Sequence, residues 1–181
     1  MSLIDYFIFL VAVAFLAIGL LVQAAGFGVF VTGRLEGVIL SVIGFTMFWA
    51  GWVVSGARGI SCIVASILNM FDAASTVAFW NFESNPVVLA AGPTVFMIAK
   101  VACSLTIMLY AKYNPSARRG GMVLTAFFAF IVAWNLSQHV MFSFGFKEVE
   151  YGILIGSILS LLASAMVVYF IFLGEKHSSK S

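Results

Sequence analysis

The chain has 181 residues, of which 63% are hydrophobic and 9% charged, with a net charge of +2 and a mean hydropathy of +1.13. Water-soluble domains carry about 25% charged residues, so this composition excludes a soluble globular fold and makes a lipid bilayer the expected solvent. No basic surface is available for nucleic acid, and the two cysteines, Cys62 and Cys103, lie in separate apolar runs without the C-x-x-C spacing of a zinc or disulfide framework.

Six apolar spans are predicted, roughly at 4–32, 38–56, 60–82, 92–112, 122–145 and 151–173. Each is close to or above the ~20 residues that cross a bilayer. The chain therefore reads as an all-α integral membrane protein, a six-helix bundle forming one domain over 1–174, with a short tail at 175–181. The first span has no basic n-region, carries Asp5 and is too long for a signal-peptide core, which makes it a membrane helix. At its length it must tilt, extend into the interface or loosen near Gly26 and Gly28. Gly33 to Gly37 and Gly56 to Gly59 punctuate the next breaks. Asn85-Pro86 is expected to close the third span, because the residue before proline resists helical backbone. Residues 83–91 then form an outer loop. Asn114-Pro115 and Arg118-Arg119-Gly120-Gly121 separate the fourth span from the fifth.

Six spans put Arg58, Lys112, Arg118, Arg119, Lys176 and Lys180 on one side. The other side holds Arg34 and Lys147 among Glu36, Glu83, Glu148 and Glu150. Basic residues favour the cytoplasm, so the expectation is a multi-pass cell-membrane protein with both termini cytoplasmic. A five-span arrangement would place the basic tail outside.

Polar residues inside the spans are the candidates for chemistry. Asn69, Asp72 and Thr76 lie at i, i+3 and i+7 on the third span, and Asn135, Gln138 and His139 at i, i+3 and i+4 on the fifth, so each set shares a helical face. Lys100 stands on the fourth. Asp72 is ten residues short of the expected end at 82, Lys100 eight past the start at 92, and Asn135 ten short of 145, which brings all three to one depth. A charge in hydrocarbon costs about 3 kcal/mol on insertion scales, so Asp72 and Lys100 are predicted to form an ion pair. The cluster is either a hydrogen-bonded lock between helices or a polar cavity for a proton, ion or small solute. Asp72, Glu83 and His139 are the only conceivable metal ligands, and no metal or other cofactor is expected from so sparse a set. No nucleophile constellation points to an enzyme. On the sixth span Gly152, Gly156, Ser160 and Ser164 recur every fourth residue, a stripe that admits a second helix closely, from this chain or from a partner.

The ordered set Asn69-x-x-Asp72-x-x-x-Thr76, Glu83-x-Asn85-Pro86 and Gly92-Pro93-x-x-Phe96-x-x-x-Lys100 resembles a family of small, uncharacterised prokaryotic integral membrane proteins over about residues 60–112. The resemblance implies that Asn69, Asp72, Thr76, Glu83, Asn85 and Lys100 belong together, and it implies no reaction. Three function classes follow. The preferred one is an accessory subunit of a larger membrane complex, whose partners would be lipid and other membrane subunits or a second copy. The alternative is a small transporter or channel using Asp72 and Lys100. The third is a membrane enzyme or metal protein using Asp72 and His139.

Overall fold

The computed structural model describes residues 3–31, 33–83, 85–114, 116–143 and 149–178. The side chains of residues 31, 82, 139–143, 149–154 and 174–178 lie outside that description, and so do the expectations placed on His139 and on Gly152 in the stripe. The fold is all-helical, and the described residues contain no strand. Six helices follow in chain order, α1 (Leu3–Val31), α2 (Glu36–Ser55), α3 (Ile60–Ala78), α4 (Pro86–Tyr113), α5 (Ala117–Ser143) and α6 (Val149–Ser178). All six are long and apolar enough to cross a membrane.

Contacts run in opposite senses along α1 and α2 (Gly19 with Gly44, Gly26 with Gly37), α3 and α4 (Ser66 with Ser104, Asn69 with Lys100) and α5 and α6 (Ser137 with Gly156, Ala126 with Ser164), so each of these pairs is antiparallel. The bundle therefore has a basic end, with Arg58, Lys112, Arg118 and Arg119, and an opposite end carrying Glu36 and Glu83. Helix α3 is the axis. Within its apolar span 67% is buried, against 33% or less for every other helix, and it touches α1, α4 and α5. Its small residues Ser61, Ala65, Ser66, Ala73 and Ser75 are fully enclosed and allow three neighbours to approach.

Helices α1 and α2 form the tightest pair. Gly19 and Gly26 on α1, and Gly37, Gly44 and Gly51 on α2, recur every seventh residue and face one another. A methyl group added at Gly44 would lie 2.7 Å from the Gly19 carbonyl oxygen, and one at Gly51 would lie 2.7 Å from the Ala12 carbonyl oxygen. Backbone thus packs on backbone, with Cα–H groups aimed at opposing carbonyls. Gly26 does not loosen α1. It lets an unbroken helix of 29 residues seat against α2.

Three expected boundaries shift, each for a local reason. The third span ends at Ala78 rather than 82: the Phe79 N–H closes on the Ser75 carbonyl at 3.0 Å, and a 3-10 turn over Trp80–Phe82 follows. Asn85-Pro86 opens α4 instead of closing α3. The Asn85 side chain accepts the Val87 N–H at 3.0 Å, Pro86 fills the first helical position, and the Glu83 carboxylate accepts the Asn85 N–H at 2.7 Å. The expected outer loop is therefore helical from Pro86 onward, up to a break at Gly92. There φ is 79° and ψ 161°, a conformation open in practice to glycine alone. Pro93, lacking an N–H, restarts the helix. Arg118-Arg119-Gly120-Gly121 also belongs to a helix. It forms the first turns of α5, where Gly121 lets α5 press on Ser61 and Cys62.

Candidate functional site

A polar ladder runs along the α3–α4 contact and ends in a charged triad shared with α5. At its foot, Ser66 and Ser104 hydroxyls donate to each other's backbone carbonyls at 3.5 and 3.3 Å. One turn on, the Asn69 amide donates to the Lys100 carbonyl at 2.8 Å and to the Ser104 hydroxyl at 2.9 Å. Another turn on, the Lys100 ammonium donates to Asp72 Oδ2 in a direct ion pair. Asn135 Nδ2 on α5 donates to Asp72 Oδ1 at 2.7 Å. The predicted pair is present, and Asn135 completes it.

Burial makes this arrangement consequential. The Asp72 side chain is 5% exposed and that of Lys100 17%. The Lys100 ammonium also sits 5.3 Å from the Phe96 ring centroid and 5.5 Å from that of Phe128, so its remaining hydrogens face π-electron density. The two charges cancel inside an apolar shell, and each carboxylate oxygen has a donor. Removing one partner of such a pair leaves an orphan charge, which costs about 3–5 kcal/mol. Asn69 Oδ1 is buried without a hydrogen-bond partner. It lies one turn from Asp72 on the same face of α3.

Other expected residues divide. Thr76 is buried one turn beyond Asp72 on α3. Gln138 lies against α6, where its amide nitrogen would be 2.8 Å from a methyl group on Gly156. Glu83 and Asn85 help to start α4. The stripe is used within the chain: Gly156 packs on Ser137 and Gln138, Ser160 is enclosed, and the Ser164 hydroxyl donates to the Ala126 carbonyl at 2.8 Å. Among the described residues no group of three or more His, Cys, Asp or Glu side chains could hold a metal ion. Of the weak metal candidates, Asp72 is bound by Lys100 and Asn135, and Glu83 accepts a backbone N–H.

Sequence reasoning missed Ser66 and Ser104. Both were within reach, since Ser66 precedes Asn69 by three residues and Ser104 follows Lys100 by four, each extending a polar face already identified. It also missed a second tie at the basic end. There the Thr125 hydroxyl donates to the Ser61 carbonyl at 2.7 Å, and the Cys62 thiol donates to the Ala117 carbonyl at 3.4 Å.

Fold and site together define a class: a compact bundle of six helices, each long and apolar enough to cross a membrane, with a charge-neutral buried triad linking three of them. No family model, curated protein or solved structure matches this chain.

Proposed function

We propose that this chain is a small membrane transporter or channel in which Asp72 is the exchangeable site for a proton or cation and α4 is the moving part. The observation that carries the reading is where the triad acts. All fully buried residues of α4, Ser104, Ile107, Met108 and Ala111, lie toward the basic end from Lys100. From Pro86 to Ala99 none is fully buried, and the segment contains the break at Gly92. Lys100 is thus the last strong tie on this arm. Protonation of Asp72, or a cation in place of the Lys100 ammonium, removes the attraction that holds it and lets the arm swing about Gly92 and the Lys100 turn. The bundle spans the cell membrane with its basic end, and both termini, in the cytoplasm, as the distribution of Arg58, Lys112, Arg118 and Arg119 favours.

Reconstituted vesicles test this. Under an imposed pH or sodium gradient the wild-type chain should carry a flux that Asp72→Asn abolishes, while the variant still inserts into the vesicles with wild-type helical content even though it loses the stability of the ion pair. An unchanged flux in that variant removes the proposal.

The subunit reading retains one observation of its own. The Pro86–Ala99 arm exposes Val87, Leu89, Val95 and Ile98 on several faces, as a helix covered by another protein would. It gains no support from the α6 stripe where this is described, since Gly156 and Ser164 already pack on α5. A stoichiometric membrane partner lost on Val95→Trp, together with absent wild-type flux, would favour it.

A further inference from the structure

We infer that the basic end of the bundle holds a binding site for a phosphate-bearing anion, the headgroup of an acidic phospholipid or a soluble phosphate ester. The site is a cavity of about 630 Å³ between the α2–α3 turn, the end of α4 and the start of α5. Its size is that of a small-ligand pocket. Arg58, Lys112 and Arg118 line it, one from each of these three segments, and among the described residues no acidic side chain does.

Local structure builds this convergence. Gly56, at φ 71°, ends α2 in the left-handed conformation and turns the chain so that Arg58 stands at the rim. Gly59, which begins α3 without a side-chain cap, also lines the cavity, so the partial positive charge of that helix start lies beside it. Lys112 is anchored from outside: its ammonium lies 4.2 Å from the Phe9 ring centroid on α1. A π-face attracts the cation without taking a hydrogen-bond acceptor's place, so the ammonium keeps donors for a ligand. Asn114 and Ser55, also in the lining, are already used, since the Asn114 side chain accepts the Ser116 N–H at 2.8 Å and the Ser55 hydroxyl donates to the Trp52 carbonyl at 2.7 Å.

Arg58, Lys112 and Arg118 bring three positive charges and a helix start to one cavity. A dianionic or monoanionic phosphate complements that positive charge and accepts charge-assisted hydrogen bonds from such groups. Arginine supplies planar, paired donors suited to phosphate, and lysine a compact charge. In a membrane, an acidic lipid of the leaflet at this end would deliver its headgroup directly, with its chains against the exposed apolar flank of α4 and α5.

The test uses the full-length protein in nanodiscs of zwitterionic lipid. Phosphatidylglycerol or cardiolipin is titrated in one arm and inorganic phosphate in the other, with bound species counted by native mass spectrometry. Removing all three cations as R58Q/K112Q/R118Q should weaken retention about a hundredfold, taking about fivefold for each charge near the membrane surface. Arg34→Gln, at the opposite end, should leave it unchanged, and Lys112→Arg should preserve it. Loss in the lipid arm alone identifies a lipid headgroup, and loss in the phosphate arm identifies a soluble phosphate compound. Equal retention by the triple variant and wild type in both arms overturns the site. The proposal is independent of the Asp72 reading, since the cavity and the triad share no residue.

Discussion

At the scale of single residues, Asp72, Lys100 and Asn135 behave as one group. Each oxygen of Asp72 has its own donor, from α4 and from α5. This differs from an ordinary interhelical hydrogen bond in a membrane, which contributes only about 0.6 kcal/mol. The separation comes from desolvation: a buried charge without its partner is far more costly than a neutral polar contact. Lys100→Met and Asp72→Leu should therefore each destabilise by about 3 kcal/mol, and the double variant by much less than the sum. Unfolding in mild detergent checks this, and a Lys100→Met variant no less stable than the double variant would show that no pair exists. These residues were legible in the sequence because a charge within an apolar run has few explanations. The glycines of α1 and α2 were not. Single glycines in a membrane helix are common, and only their sevenfold spacing on two neighbouring helices marks them as an interface.

At the scale of elements, two devices decide how the helices sit. The first is the α1–α2 seam. Gly44→Leu places a side chain against the Gln23 and Gly19 backbones, which cannot move aside as a flexible side chain would. It should lower the unfolding temperature sharply, by more than any core truncation in the bundle. Gly28→Ala is the matched control: its nearest neighbour, the Ala74 carbonyl oxygen, is 4.0 Å from the added methyl, so stability should be unchanged. Equal effects at the two sites would mean that the seam is not packed on backbone. The second device is the break in α4. Gly92→Ala forces a side chain into positive φ and should cost about 1–3 kcal/mol or straighten the helix. Hydrogen exchange over residues 86–99 distinguishes these results from an inert substitution, which would leave exchange unchanged. The sequence misled most at this point. Asn-Pro was read as an end because proline disfavours helix in the residue before it. The same pair opens a helix when asparagine caps and proline takes the first position, and the Glu83 carboxylate on the Asn85 N–H tips the balance.

At the scale of the whole molecule, the six-helix count and the charge asymmetry between the two ends followed from hydropathy and spacing alone. Which helix is central did not. Hydropathy ranks α3 among the least apolar spans, yet it is the most buried, because its small and polar residues face three neighbours while the greasier helices face outward. This inversion is what a membrane solvent would favour, because there a helix's apolar face needs no hiding. The resulting bundle has a well-packed base around Ser61, Cys62, Met108 and Ala117 at the basic end. Its α4 arm at the other end is tied chiefly through Lys100. The account's central claim is that the charge on Asp72 holds that arm in place. The most direct measurement is a spin-label distance between Val95→Cys on α4 and Ile39→Cys on α2, both exposed, with Cys62 and Cys103 replaced by alanine, in lipid nanodiscs. The account predicts a single narrow distance for this labelled protein and a broader or displaced distribution when Asp72→Asn is added. Identical distributions in the two proteins would contradict it.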